Sequence, residues 1–163
     1  RKYSAENYLK IIDKFKNVRE DMAFSSDFIV GFPGETEQAF KNTLKLVDEV
    51  KYCQAYSFKY SPRLGTPASL IKDQIDESIL DKRLNKIQKI LNKQQKIFNE
   101  TFLDKEVDVL FTNFGKKSNQ YVGRTPFLQP VHVLSSRNLI GKILKIKIER
   151  LTSFSFHGRI LRS

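Results

Sequence analysis

The residues best suited to chemistry fall in two short runs. The first is Ser26-Asp27-Phe28-Ile29-Val30-Gly31-Phe32-Pro33-Gly34-Glu35-Thr36. An apolar strand-like segment is stopped by Gly-Phe-Pro-Gly, and Thr36 can then cap a helix. Gly31 and Gly34 allow positive φ or a close approach of backbone to a ligand, and Pro33 fixes the path between them. Amides at the following helix start can face a carboxylate, although Glu35 at the same end works against a bound anion. The spacing is neither the dinucleotide-binding glycine pattern nor a Walker loop, so it does not support a nucleotide-phosphate cradle. The same residues also make an ordinary strand-to-helix turn. The second run, Tyr56-Ser57-Phe58-Lys59-Tyr60-Ser61-Pro62-Arg63-Leu64-Gly65-Thr66-Pro67-Ala68, places Arg63 just beyond the C-terminal end of a strand. Parallel α/β folds bind ligands at that edge, and a guanidinium there can hold a phosphate or carboxylate through paired hydrogen bonds.

Metal chemistry finds little support. The single cysteine, Cys53, stands at the start of a strand and reads as a small buried core residue. One cysteine excludes a disulfide framework and, within this chain, a cysteine-held cluster. His132 and His157 each lack a partner at metal-ligand spacing, so both read as barrel residues.

The elements that must position these groups come in two textures. Up to residue 97 helical and strand-like periods alternate. Ser4 can cap a helix over Ala5–Arg19 with Tyr8, Ile11, Ile12, Phe15 and Val18 at helical spacing. Ala23–Val30 is a strand; Phe40, Leu44, Val47 and Val50 mark a second helix; Gln54–Tyr60 alternates as a strand. Asp76–Asn99 is a long amphipathic helix with Leu80, Leu84, Ile87, Leu91 and Phe98 on one side. This order implies βα units and a parallel sheet, because parallel neighbours need a crossover. Two strands do not complete such a sheet, and the chain starts at Arg1 rather than Met, so further strands are expected upstream. After residue 97 the runs are short and β-rich: Lys105–Phe111, Gln120–Arg124, Val131–Leu134, Ile143–Leu151 and Phe156–Leu161. That pattern calls for a small barrel. The expected domains are therefore residues 1–97 and 98–163, and the expected class is α/β plus small all-β.

Charge points to a polyanion. The chain carries 29 Lys+Arg against 18 Asp+Glu, a net +11. Residues 1–97 hold a surplus of +5 and residues 98–163 a surplus of +6 in a much shorter stretch. A basic chain without disulfides favours nucleic acid over membrane through phosphate neutralisation, although a lysine-rich solvated surface has the same composition. No apolar run is long enough to span a bilayer, and no secretory signal pattern is present, so the expected location is cytoplasmic.

Taken together, the runs "SSDFIVGFPGETEQAF" and "YSFKYSPRLGTPAS" resemble the C-terminal part of the radical-SAM methylthiotransferases. The likeness continues through "RLNKIQKILNKQQKIFN" into the appended RNA-binding TRAM domain, where "GKKSNQYVGRT" and "LIGKILKIKI" match. The Ser-Pro-Arg-x-Gly-Thr version of the second motif is most similar to the tRNA enzyme that adds a methylthio group to isopentenyl-adenosine beside the anticodon. The resemblance implies the last βα units of an open radical-SAM (β/α) barrel followed by a five-stranded OB-like TRAM β-barrel. It implies S-adenosylmethionine and two 4Fe–4S clusters as cofactors, and tRNA as partner. By position, Asp27, Ile29, Gly31 and Pro33 would border the S-adenosylmethionine site. Arg63, Lys116, Lys117, Arg124 and Arg137 would contact RNA, and no catalytic residue is assigned. The cluster cysteines of the family are absent from this chain, which is expected to need the missing N-terminal half of the enzyme and to be inactive alone. The alternatives are a stand-alone RNA-binding protein, or the branch that modifies a ribosomal protein; the Arg63 loop and the basic barrel disfavour the latter.

Overall fold

The computed structural model describes residues 3–161. The chain divides between Gln95 and Lys96 into two compact units, two residues before the change of texture in the sequence.

In the first unit, α1 (Ala5–Val18) starts at Ser4, whose hydroxyl accepts the Asn7 amide at 3.2 Å. β1 (Ser25–Val30) leads through the Gly31–Gly34 turn to α2 (Glu37–Val50), capped by Thr36 through the Ala39 amide at 3.1 Å. The helix ends at Lys51 in the left-handed region, φ 61°, and the chain enters β2 (Gln54–Lys59). β1 and β2 pair in parallel, Asp27 opposite Tyr56 and Ile29 opposite Phe58, with α2 as the crossover that parallel pairing demands. A single-turn helix at Pro67–Leu70 precedes α3 (Glu77–Glu100).

The core of this unit is Ile12, Val30, Phe40, Val47, Val50, Tyr52, Ile87 and Leu91. The helical stripe read in α1 is narrower than its spacing suggests. Ile12 is buried, whereas Ile11, Phe15 and Val18 are exposed, because α1 packs through Tyr8, Leu9 and Ile12. Tyr52 is buried, and its hydroxyl lies 2.9 Å from that of Tyr8. Burial, and then the Tyr8 hydroxyl, hold the Tyr52 phenol well above its ordinary range. A group whose pKa is raised by folding stabilises fully below its unfolded pKa and less above it. Stability should therefore fall above about pH 10, by about 1.4 kcal/mol per pH unit. Urea midpoints on either side of that pH should show the fall in the native chain and lose it in Tyr52→Phe.

The second unit is a closed barrel of five strands: β3 (Glu106–Phe114), β4 (Gln120–Arg124), β5 (Pro130–Leu134), β6 (Ile143–Leu151) and β7 (Phe156–Ile160). The order around it is β3-β4-β5-β7-β6. All pairs are antiparallel except β5 with β7. β3 runs three residues further than its alternation predicts, since a register shift between Phe111 and Asn113 breaks the period two. Val109, Phe111, Val131, Val133, Ile146, Ile148 and Phe156 fill the interior. Gly158 is required by packing, because a Cβ there would overlap the Lys147 carbonyl and the Ile146 side chain.

Candidate nucleic-acid interface

The first run of the sequence folds into a self-satisfied turn. Gly31 adopts φ 73°, and a Cβ on it would overlap the Leu80 side chain. Its amide donates to Glu35 Oε2 at 2.9 Å, and the same oxygen accepts from the Arg83 guanidinium at 2.6 Å. Arg83 also donates to the Glu35 carbonyl at 2.9 Å and stacks on Phe40 at 5.3 Å. The anion held by this turn is thus the chain's own Glu35, and both side chains of the pair are nearly buried. Pro33 is buried beside it.

The four residues expected at a cofactor therefore separate. Gly31 and Pro33 are packed in the turn, while Asp27 and Ile29 lie on the open face of the sheet. Ile29, Tyr56 and Phe58, adjacent there by register, are each more than half exposed. A cleft of about 670 Å³ runs along β1, with Tyr8, Ser26, Asp27, Ile29, Asn42 and Tyr52 in its wall. Lys59, on the opposite face, is held by Glu77 and by Asp81 at 2.9 Å. Those two carboxylates raise its pKa, Glu77 more than Asp81. Arg63 stands exposed in its loop, whose carbonyl accepts the Thr66 hydroxyl at 2.7 Å.

Cys53 does not fit a cluster ligand. The residue is buried, and that burial pushes its pKa up, away from the thiolate that iron requires. No group of three or more His, Cys, Asp or Glu side chains suited to a metal ion occurs among the described residues.

In the barrel unit, the predicted RNA-binding residues are partly assembled. Lys116 and Lys117 lie in the β3–β4 turn and Arg137 in the β5–β6 loop. The two loops meet at one end of the barrel, where the Ser135 amide donates to the Asn119 carbonyl at 2.9 Å. Arg124 is at the far end of β4, about 13 Å along the strand from Gln120, with its guanidinium on the Leu128 carbonyl at 2.8 Å.

The charge of this unit is more one-sided than its net surplus conveys. From residue 109 onward the sequence has ten Lys and Arg and a single acid, Glu149. Lys145 pairs with Asp108 at 3.3 Å and Arg159 with Glu149 at 2.7 Å. Lys116, Lys117, Arg124, Arg137, Lys142, Lys147 and Arg150 have no ion pair among the described residues. Beside Lys116, Phe114 is 70 % exposed and tilted on Tyr121 with centroids 5.3 Å apart. Unpaired cations beside an exposed ring are what a single-stranded nucleic acid needs for backbone neutralisation and base stacking.

Sequence reasoning did not single out Phe114, Arg150 or the two histidines as a pair. His132 and His157 are register partners across the parallel β5–β7 pairing, and their rings stack at 5.1 Å. An exposed aromatic at a strand end followed by Gly-Lys-Lys was the available signal for Phe114; no local signal joins two histidines on separate strands.

No protein-family model matches the chain. No helix among the described residues is long and apolar enough to cross a membrane.

Proposed function

We propose that this chain is the tRNA-gripping and barrel-rim portion of a radical-SAM methylthiotransferase that modifies isopentenyl-adenosine beside the anticodon. The observation that carries the RNA part is the small closed barrel whose cations, apart from Lys145 and Arg159, have no ion pair among the described residues. Its strand order, first, second, third, fifth, fourth and back to the first, suits an OB-like TRAM module, a fold class that binds nucleic acid on its strands and loops. The enzyme part rests on the resemblance of the two motif runs. It is supported by a two-stranded parallel sheet whose open face shows Ile29, Tyr56 and Phe58 to solvent. Such a face calls for cover by further structure.

In this reading, S-adenosylmethionine would lie against the open face, where Asp27 and Ile29 border it, and supply the radical and the methyl group when bound. Gly31 and Pro33 position the end of β1 by packing in the turn. Cys53 does not suit the iron–sulfur clusters, so their ligands belong to the part of the enzyme outside this chain. The role of the chain's own residues is to hold tRNA by its phosphates and to complete the rim of the cofactor barrel.

Anisotropy with a labelled anticodon stem-loop RNA tests the reading, with salt raised from about 50 to 200 mM. Binding that weakens log-linearly over that range, equivalent to several released counterions, is expected. Absence of binding, or affinity independent of salt, would overturn it.

A further inference from the structure

On the wall of the barrel, the β5–β7 seam opens into a cleft of about 560 Å³. Lys117 reaches it from the β3–β4 turn, His132 from β5, Glu149 and Arg150 from β6, and His157 and Arg159 from β7. Glu149 is engaged with Arg159 at 2.7 Å. That leaves Lys117 and Arg150 facing the histidines without a carboxylate partner among the described residues. The two imidazoles stack at 5.1 Å with ring planes 20° apart, and Nδ1 of His132 is buried without a hydrogen-bond partner. Protonation makes both ring nitrogens donors. A charged His132 would then bury an unmatched N–H beside a second imidazole and two cations. These surroundings disfavour charge on both rings: burial lowers the pKa of His132, and burial, Arg150, His132 and Lys117 lower that of His157. An entering phosphate offsets the repulsion that Lys117 and Arg150 exert on His157 and supplies a negative charge beside both rings.

We propose that this cleft is a proton-linked phosphate site, in which the His132–His157 pair takes up a proton as a phosphate settles between Lys117 and Arg150. The source of the phosphate as an RNA backbone rests on the function proposed above; the site itself is defined by the phosphate group. Binding that raises an imidazole pKa must in turn tighten as the pH falls, since linkage is reciprocal. A rise of one pKa unit corresponds to about tenfold in affinity.

The test is an NMR titration of the imidazoles of the full chain, alone, with saturating stem-loop RNA, and with inorganic phosphate. RNA should raise at least one imidazole pKa by about one unit, and RNA affinity should grow roughly fivefold to tenfold as the pH falls through the imidazole range. The variant His132→Gln/His157→Gln should still bind RNA but lose that pH dependence. Arg150→Gln should raise the pKa of His157 in the free protein. A shift with inorganic phosphate but no RNA binding would keep the site and remove the RNA reading. RNA binding with both imidazoles unmoved by RNA and by phosphate would overturn the site while leaving the RNA reading intact. If neither ligand binds, both fall.

Discussion

Arg83→Met should destabilise the first unit by about 3–5 kcal/mol, because it strands a nearly buried carboxylate. Glu35 would keep only the Gly31 amide, having lost both the charged donor to its side chain and the donor to its carbonyl. Glu37, 3.5 Å from the guanidinium and itself exposed, would simply turn to water. The double variant Glu35→Gln/Arg83→Met should recover most of the loss, since an amide can retain the Gly31 hydrogen bond without a buried charge. Urea unfolding followed by helical circular dichroism reads this directly, because α1, α2 and most of α3 lie before Lys96. A single variant within 1 kcal/mol of the native chain (about the worth of an exposed pair) would show that the turn does not depend on the pair.

Removing Lys116, Lys117, Arg124 and Arg137 together as alanines should cost on the order of 100-fold in RNA affinity at low salt. It should also make the log–log salt slope shallower by about 2, since Lys116, Lys117 and Arg137 would each make a single-strand phosphate contact contributing about 0.7. The structure divides that effect. Lys116, Lys117 and Arg137 share one end of the barrel, so the triple variant should carry most of the loss. Arg124, tied to Leu128 at the other end, should change affinity little by itself and add independently to the rest. Anisotropy titrations of the triple, single and quadruple variants across the same salt series separate these cases. An unchanged slope in the quadruple variant would move the binding surface to Lys142, Lys147 and Arg150.

What could be read from the sequence was what is local. β4 and β6 begin and end where alternation and turn clusters place them, and Ser4 and Thr36 cap the helices they precede. β3 runs past Phe111, where the alternation stops, because its bulge destroys the period of two there. The placement of β7 between β5 and β6 has no sequence signature, since hydrophobic alternation states that a strand has two faces and not which strand lies beside it. The site was legible to the same degree. The basic loops around Lys116 and Arg137 were visible as charge in turns. The splitting of Asp27 and Ile29 from Gly31 and Pro33 was not, because it depends on Glu35 and Arg83 meeting across 48 positions of chain. The same holds for the histidine stack, which exists only through the closure of the barrel.

That closure is unequal around the ring. The β3–β6 seam is registered over five residue pairs, and the β5–β7 seam over two. With so few ladder bonds, the parallel seam is where the cylinder can part locally at least cost, so its amides are the ones to exchange with solvent soonest. Whatever settles across it works as a clasp, fastening the hairpin of β6 and β7 to the three-stranded meander, and would slow that breathing in proportion to its occupancy.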